Sequence, residues 1–366
     1  MKFLKTALAA PAMVTAIAAA TLTAITPAQA AELTAAQVAG ETAPATITPV
    51  PGPAPEGSPL WRTIVREYGE RVEEVSASSP AMNRRVPLAL IKADRPGAPT
   101  LYLLNGGDGG EGTANWIQQT DVIEFYLDKG INVVIPMAGQ FSYYTDWIED
   151  VAALGGAQKW ETFLTKELPG PMEEYLHANG QRAIAGMSMS ATSSLLLAQH
   201  NPGFYDAVGS FSGCAETSTP LGYASVALTL DHNSFTGLSF EKMWGERGGE
   251  INRYNDALLN ADKLAGTQVY VSNGSGTAGE NDMPHGPRFK DYTDVQKAWA
   301  MAQTIGLGGI IEGGTNVCTH NLKAKMDSLN IPADFNFHNT GTHSWGYWQQ
   351  DLRASWPTFA RGLGIA

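Results

Sequence analysis

Short apolar runs that alternate with helix-like stretches are the feature that most limits how this chain can fold. Six such runs occupy residues 100–104, 131–136, 182–185, 207–212, 268–271 and 334–337. Stretches with helical character lie between them at residues 117–129, 160–179, 191–200 and 295–305. Strands that alternate with helices predict an α/β fold with a doubly wound, mostly parallel sheet. Ligands bind at the carboxyl ends of such strands, so we expect the functional residues there.

The first 30 residues have the pattern of a secretory signal peptide. Lys2 and Lys5 precede an apolar stretch from residue 7 to residue 25, and an A-x-A cleavage pattern follows at residues 28–30. This pattern predicts a secreted or cell-envelope protein, with a membrane anchor as the alternative. Residues 31–57 are rich in Pro, Ala and Thr, which predicts a flexible arm. Residues 58–366 have a normal length for one α/β domain.

The acidic charge balance limits the partners of this chain. Its formal net charge is −12, and loss of the signal peptide removes two further lysines. A negative chain of this kind is not expected to bind nucleic acid or to dock electrostatically on anionic lipid. A neutral or sugar-bearing substrate is compatible with this negative charge. We expect the protein to be a monomer.

Cys214 and Cys318 are the two cysteines of the chain. Export brings them into an oxidising environment, where they can form a disulfide. That bond would close a loop of roughly one hundred residues and restrict the unfolded chain. Two buried free thiols are the alternative. No cysteine–histidine spacing indicates zinc, so we predict no metal site.

A strand, a tight turn and a helix surround the strongest candidate nucleophile. The pentapeptide G-M-S-M-S at residues 186–190 follows one predicted strand and precedes a predicted helix. This is the context of a nucleophile elbow, in which Ser188 is lifted to the edge of the sheet. The fifth position is Ser190, where glycine is usual. A serine that merely caps the helix is the alternative interpretation.

A serine nucleophile needs a general base, and His343 occupies the expected place. It lies in the G-T-H-S-W segment at residues 341–345, after the last predicted strand. α/β-Hydrolases present their catalytic residues in the order serine, acid, histidine. The acid must therefore lie between them. Asp282 follows the strand at 268–271, where the acid is commonly found, and is therefore slightly favoured over its rival Glu312. The role of the acid is to hold the imidazole in one tautomer and to stabilise the imidazolium.

A glycine-rich loop at residues 104–110 follows the first predicted strand. Its backbone can approach a substrate closely and donate an N–H group to an oxyanion. No G-K-[ST] sequence follows it, so a phosphate-binding loop is not indicated and we predict no cofactor. Residues 215–265 are either a lid inserted between strands or ordinary helix–loop packing.

The chain resembles the antigen 85-type mycoloyltransferases of mycolate-containing actinobacteria, which belong to the esterases. The shared segments occur in family order and cover roughly residues 85–350. They lie at residues 101–106, 134–140, 143–147, 159–165, 186–190 and 341–348. The combination of K-W-E-T-F-L, G-x-S-M-S and G-T-H-S-W is specific. The position of the cysteine pair differs from that of mycobacterial members and favours a corynebacterial branch.

The resemblance implies an α/β-hydrolase fold and transfer of a mycoloyl group from trehalose monomycolate through an acyl-enzyme. Acceptors would be a second trehalose monomycolate, the arabinan of the cell wall, or a protein, with peripheral association at the outer lipid layer. The alternatives are a carboxylesterase that uses water as acceptor and a non-catalytic cell-wall binding protein. Residues 221–238 are the predicted groove for the lipid.

Carried over position by position, the resemblance assigns roles to individual residues. It implies Ser188 as nucleophile, His343 as base and Glu312, rather than Asp282, as acid. The residues implied near the oxyanion and the sugar are Gly107 and Met189 as oxyanion donors, and Asn105, Asp108, Ser344 and Trp345 as substrate-binding residues. The family has aspartate at the position of Asn105 and arginine at that of Asp108, so the acceptor preference can differ.

Overall fold

The computed structural model describes residues 42–231, 235–290 and 292–365. A nine-stranded sheet runs through them in the order β1-β2-β3-β5-β4-β6-β7-β8-β9. The strands are β1 Ile47–Pro49, β2 Val72–Ser79, β3 Arg84–Ile91, β4 Thr100–Leu104, β5 Asn132–Pro136, β6 Arg182–Met187, β7 Ala207–Phe211, β8 Gln268–Asn273 and β9 Asp334–Phe337. Strands β5, β4 and β6 to β9 are parallel, and β1 to β3 are joined to them by antiparallel pairings. The predicted mostly parallel α/β sheet is therefore confirmed.

Helices lie on both faces of this sheet. They are α1 Leu60–Glu67, α2 Trp116–Gln119, α3 Val122–Leu127, α4 Trp160–Thr162, α5 Pro169–Leu176, α6 Met189–His200, α7 Pro220–Asp231, α8 Phe240–Trp244, α9 Glu250–Tyr254, α10 Asp294–Met301, α11 Gly309–Ser328, α12 Trp345–Ala354 and α13 Trp356–Gly362. π-Helical turns at Phe163–Glu167 and Ala302–Gly308 extend α4 and join α10 to α11. Within the described part of the chain, no helix has the length and apolar character needed to cross a membrane.

Each face of the sheet has its own apolar core because successive side chains of a strand point to opposite sides. Tyr102 and Leu104 of β4 join the core that packs against α5 and α6. Leu101 and Leu103 join the core that packs against α3 and α13. Every residue of β4 is buried, as expected for a strand covered on both faces.

One edge of the sheet corrects the prediction of a flexible arm for residues 42–49. Ile47 and Pro49 of β1 pair with Ala77 and Val75 of β2. The N–H of Ala45 donates to the carbonyl of Glu167 at 2.9 Å, which fastens the segment to the turn after α4. Proline is compatible with this position because an edge strand does not need all of its N–H groups. The predicted signal peptide and residues 31–41 lie outside the described residues.

A disulfide between Cys214 and Cys318 joins the loop after β7 to α11. Both cysteines are buried. The predicted pairing is therefore confirmed. Among the described residues, the one group with metal-ligand spacing consists of Glu216 and these two cysteines. Their sulfurs are bonded to each other and are not offered to a metal.

Candidate active site

Ser188 occupies the sharp turn between β6 and α6. Its φ of 58° and ψ of −122° are unusual for a residue other than glycine. Backbone strain of this kind persists where the surrounding structure enforces it, and it clusters at functional sites. Here the N–H of Ser188 donates to the carbonyl of Phe211 at the end of β7, at 2.9 Å. The side chain is half-buried, with its Oγ at the carboxyl edge of the sheet.

Gly186 and Ser190 explain how the turn is closed. A Cβ at Gly186 would overlap the carbonyl oxygen of Ser190, so a side chain does not fit there. The Ser190 hydroxyl accepts the N–H of Met187 at 3.0 Å and lies 3.3 Å from the carbonyl of Leu104. Ser190 therefore ties the turn together instead of capping the helix, which accounts for serine where the motif usually has glycine.

The structure brings Ser188, His343 and Glu312 together in one hydrogen-bonded series. Ser188 Oγ lies 2.7 Å from His343 Nε2, and His343 Nδ1 lies 2.8 Å from Glu312 Oε2. The order of the three along the chain is the hydrolase order. This arrangement fixes the imidazole tautomer with its proton on Nδ1 and leaves Nε2 free to accept the serine proton.

Glu312 is fully buried, and its second oxygen is held by three donors. Oε1 accepts from Ser212 Oγ at 2.8 Å, from Asn273 Nδ2 at 2.9 Å and from the N–H of Gly274 at 2.6 Å. A buried carboxylate needs such partners, because they replace the hydrogen bonds to water that it loses on burial. These three partners were not predicted from the sequence. The position of two of them at the carboxyl ends of strands could have identified them, because Ser212 directly follows β7 and Asn273 ends β8.

Asp282, the rival acid, does not contact His343 in the structure. Its Oδ1 accepts from Thr342 Oγ1 at 2.6 Å, and its Oδ2 accepts from the Tyr347 hydroxyl at 2.8 Å and from the N–H of Gly279 at 2.9 Å. Thr342 precedes His343 directly, and Tyr347 lies in the first turn of α12. Asp282 therefore anchors the loop that carries His343.

The two predicted oxyanion donors lie at the ends of neighbouring strands. Gly107 follows β4, and Met189 follows Ser188 at the end of β6, which pairs with β4 in parallel. Met189 begins α6, and the first N–H groups of a helix have no acceptor within the helix. The carbonyl of Gly107 accepts the N–H of Phe141 at 2.8 Å, which fixes the orientation of this loop.

Asn105 is not placed to touch a substrate. It is fully buried, and its amide is used at both ends: Nδ2 donates to the carbonyl of Pro136 at 2.8 Å and Oδ1 accepts the N–H of Trp116 at 3.0 Å. The prediction that it binds substrate is therefore corrected, because this buried amide is used to hydrogen bond the backbone groups of the surrounding loops.

Asp108 has a similar local role in the glycine-rich loop. Its two oxygens accept the N–H groups of Gly110 at 2.8 Å and Ala114 at 3.2 Å. Burial raises the pKa of its carboxyl group. The carboxylate thus orders the loop that carries Gly107, and a direct contact with sugar stays a prediction.

Ser344 and Trp345 line a cavity of about 160 Å³ next to His343. The other lining residues come from the segment between β8 and α11 and from α12, and include Asn281, Arg288, Tyr292 and Trp348. The ring of Trp345 packs edge-on against Trp116 at 5.4 Å and against Trp348 at 5.1 Å. Both predicted residues are therefore beside the candidate base, whereas Arg288 was not predicted from the sequence.

Residues 215–265 form an insertion between β7 and β8 that contains α7, α8 and α9. The hydroxyl of Tyr143 donates to Thr229 Oγ1 of α7 at 3.2 Å, and its ring packs against Trp244 at 5.2 Å. The N–H of Tyr143 in turn lies 3.4 Å from the sulfur of Met189. The insertion thus packs on the loop after β5, close to the nucleophile. Residues 232–234 of the predicted groove lie outside the described residues.

The fold and the comparisons with known proteins define the class of this protein: an esterase or acyltransferase with the α/β-hydrolase fold. The model of the "Putative esterase" family matches residues 79–359. Among curated proteins, diacylglycerol acyltransferase/mycolyltransferase Ag85A of Mycobacterium tuberculosis is 32% identical over 308 residues, covering 81% of this chain and 82% of the relative. Ag85B of Mycolicibacterium smegmatis is 31% identical over 311 residues, covering 81% and 86%.

Solved structures agree with these matches. Mycobacterium tuberculosis MPT51 (FbpC1) superposes with a TM-score of 0.64 at 25% identity, over 81% of this chain and 100% of that one. An S-formylglutathione hydrolase from Agrobacterium tumefaciens superposes with a TM-score of 0.54 at 16% identity, over 79% and 95%, and shows the fold alone. The chain belongs to the antigen 85 family of acyltransferases within the esterases. The resemblance seen in the sequence is confirmed.

Proposed function

We propose that this protein is an exported serine acyltransferase that moves a mycoloyl group from trehalose monomycolate to a hydroxyl acceptor. The observation that carries the proposal is the hydrogen-bonded series of Ser188, His343 and Glu312 in a member of the antigen 85 family. The curated relatives are named diacylglycerol acyltransferase/mycolyltransferase. The acceptor is a second trehalose monomycolate, a cell-wall arabinan or a protein hydroxyl.

In the first half of the reaction, Ser188 Oγ attacks the ester carbonyl carbon of the donor. His343 Nε2 takes the serine proton as the new C–O bond forms. The tetrahedral oxyanion accepts the N–H groups of Met189 and Gly107, which lie at the ends of adjacent strands. The bond to the sugar oxygen then breaks, and His343 returns its proton to that oxygen. Trehalose leaves, and the acyl group remains on Ser188.

In the second half, the acceptor hydroxyl enters beside His343 and the steps run in reverse. Nε2 removes the proton of the acceptor while its oxygen attacks the acyl carbon, and the proton then returns to Ser188 Oγ. Throughout, the Glu312 carboxylate stabilises the imidazolium across its 2.8 Å hydrogen bond. Water can take the place of the acceptor, so the balance between transfer and hydrolysis depends on what occupies the space next to His343.

The lipid chains need an apolar surface near the nucleophile, and we assign them to α7 and the loop after β5. Leu221 and Leu228 of α7 are 37% and 44% exposed, although both side chains are large and apolar. The rings of Phe141 and Phe235 pack edge-on at 6.0 Å between this loop and the insertion. An exposed apolar surface of this kind marks a binding region.

The experiment that tests the function is a product analysis with trehalose monomycolate as both donor and acceptor. We expect trehalose dimycolate to form, and Ser188→Ala to abolish its formation while the fold is retained. If free mycolic acid is the main product at saturating acceptor, the protein is a hydrolase. If wild-type protein forms no product and does not react with a serine-directed fluorophosphonate, the serine mechanism is wrong.

A further inference from the structure

We propose that Tyr143 is a positioning residue that couples the insertion of residues 215–265 to the oxyanion donor Met189. Tyr143 lies in the loop after β5, between this insertion and the start of α6. Its hydroxyl contacts the insertion, and its peptide groups contact α6. The proposal rests on the proposed acyl transfer, because the coupling would respond to the acyl chain of the donor.

The loop that carries Tyr143 has an unusual backbone conformation. Phe141, Tyr143 and Tyr144 have φ values of 53°, 52° and 48°, in the left-handed region that favours glycine. A residue with a side chain adopts this region at a cost, and it persists there only where the surrounding structure enforces it. Three such residues close together therefore indicate that contacts outside the loop determine its conformation.

On one side of the loop, the peptide groups of Tyr143 contact the beginning of α6. Its N–H lies 3.4 Å from Met189 Sδ, and its carbonyl accepts the hydroxyl of Ser193. The same hydroxyl lies 3.3 Å from the carbonyl of Met189. The neighbouring Phe141 donates its N–H to the carbonyl of Gly107 at 2.8 Å. The loop therefore contacts both residues that are predicted to hold the oxyanion, and a displacement of Tyr143 reaches Met189 directly.

On the other side, the side chain of Tyr143 contacts the insertion. Its hydroxyl donates to Thr229 Oγ1 of α7 at 3.2 Å, and the Thr229 hydroxyl donates in turn to the carbonyl of Ser225 at 3.0 Å. Burial raises the pKa of the Tyr143 hydroxyl, which therefore stays protonated and remains a donor. Because Tyr143 is only 4% exposed, a shift of α7 has to move Tyr143 or leave its buried hydroxyl unpaired.

The acyl chain can act on this link because α7 has few buried side chains. Among its twelve residues, the buried ones are Gly222, Val226 and Leu230. A helix with few buried apolar contacts is displaced at low cost. An acyl chain that packs on the exposed Leu221 and Leu228 would add apolar contacts and hold α7 in place. Binding energy from this remote part of the substrate is then used at the reacting carbon, so a truncated substrate loses rate and not only affinity.

The experiment measures how the rate of acylation depends on the length of the acyl chain. The protein is mixed with saturating p-nitrophenyl acetate or p-nitrophenyl octanoate, and the rate of the p-nitrophenol burst is recorded. We expect the octanoate to acylate the wild type faster than the acetate does. Tyr143→Phe keeps the ring and removes the hydroxyl. It should lower the burst rate about three- to tenfold with octanoate, as for loss of one neutral hydrogen bond, and less than about twofold with acetate.

Two further variants separate this link from a general structural role. Thr229→Val removes the acceptor on α7 and leaves Tyr143 intact, so it should reproduce the effect of Tyr143→Phe, with no further loss in the double variant. Tyr144→Phe is the matched control. Tyr144 is the next residue and shares the left-handed conformation, but its hydroxyl donates to the carbonyl of Ala138 and not to the insertion. This variant should change the burst rates of both esters by the same factor.

Three results would overturn the assignment of Tyr143. Equal losses with both esters in Tyr143→Phe would show that the hydroxyl only stabilises the loop. A burst rate with octanoate that equals that of the wild type would show that the hydroxyl is not needed. Additive losses in the double variant would show that the two hydroxyls act independently.

A failure of the proposed function gives a different result from a failure of the coupling. If wild-type protein gives no burst with either ester, the proposed acyl transfer and the role of Tyr143 are both overturned. If wild-type protein gives a burst whose rate is the same for both esters, the acylation of a nucleophile stands and the coupling is overturned.

Discussion

Replacing Glu312 with glutamine tests the physical role of the buried carboxylate. In the wild type, Oε1 accepts from Ser212, Asn273 and Gly274, and Oε2 accepts from His343 Nδ1. Glutamine has one acceptor oxygen and one NH₂ donor in place of these two oxygens. The side chain therefore has two orientations, and the surrounding donors decide between them.

The three donors force the NH₂ group of the introduced glutamine toward His343. The opposite orientation would place NH₂ against Asn273 Nδ2 and the N–H of Gly274, neither of which can become an acceptor. Leaving two buried N–H groups unpaired costs about 2–6 kcal/mol in total. The favoured orientation instead donates to His343 Nδ1, so the ring proton moves to Nε2. That tautomer cannot accept the proton of Ser188.

The expected loss in kcat/KM for Glu312→Gln is therefore about 10²- to 10⁴-fold, which corresponds to roughly 3–5 kcal/mol of transition-state stabilisation. Steady-state hydrolysis of a p-nitrophenyl ester measures it, since that reaction needs no sugar acceptor. The matched control is Glu161→Gln. Glu161 is also buried and hydrogen bonded to a histidine, His200 Nδ1 at 2.9 Å, but it makes no contact with Ser188.

We expect Glu161→Gln to keep kcat/KM within about threefold of wild type, because it lies outside the series that ends at Ser188. A thermal melt of each variant shows whether the fold is intact. Activity of Glu312→Gln within about tenfold of wild type, with an intact fold, would refute the tautomer argument and leave Glu312 as a structural residue.

Three further predictions follow from groups around the site. Asp282→Asn should lower kcat by up to about 100-fold, because it loosens the loop that carries His343, and should leave KM nearly unchanged; steady-state kinetics checks this, and a change in KM alone would contradict it. Replacing Cys214 and Cys318 with serine removes a link between residues that are 104 positions apart. This change should lower the free energy of unfolding by about 4–5 kcal/mol in urea, and a loss below about 1 kcal/mol would contradict the entropy model. Asp351 Oδ1 accepts a hydrogen bond from His338 Nε2, which raises the pKa of His338. This pair therefore stabilises the fold below about pH 6.5, and the effect is lost as pH rises through the folded-state pKa of His338. Burial raises the pKa of Asp351, the acceptor in this pair. His338→Asn should therefore lower the melting temperature more at about pH 6 than at about pH 9, and an equal loss at both would contradict this.

The central parallel strands were predictable from the sequence because they are buried on both faces. Such strands are continuous apolar runs, and the predicted runs at 100–104 and 131–136 contain β4 and β5, every residue of which is buried. The predicted run at 334–337 coincides with β9, which lies at the edge of the sheet and is partly exposed. The antiparallel strands were missed. β2 contains Glu73, Glu74 and four serine or alanine residues beyond Val75, so its alternating pattern is weak. Long-range pairing with β3, rather than local composition, fixes it as a strand.

Helix boundaries depended on tertiary contacts that a single sequence does not display. The predicted helix at 117–129 is divided into α2 and α3, because Thr120 adopts extended backbone angles and its hydroxyl donates to the carbonyl of Trp116. The predicted helix at 295–305 instead continues through a π-helical turn into α11, which carries Glu312. Glycines at 306, 308 and 309 follow the predicted helix, and the helical segment passes through them.

Residue type and order along the chain were enough to predict which residues lie near the site. They did not predict the direction in which each side chain points. Ser188 and His343 could be chosen from motif and order alone. The choice between Glu312 and Asp282 needed coordinates or a family resemblance, since both carboxylates are buried near the same loop. Asn105 has the sequence position of a ligand-binding residue, but its amide faces the protein interior and is fully hydrogen bonded.

The proposed mechanism requires that the hydroxyl of Ser188 becomes acylated during the reaction. Intact mass measured after brief incubation with trehalose monomycolate detects this acyl-enzyme, and peptide mapping locates the adduct. We expect one added mycoloyl group on Ser188, absent from Ser188→Ala and discharged when acceptor is added. A product that accumulates without any adduct, or an adduct on a different residue, would exclude Ser188 as the nucleophile.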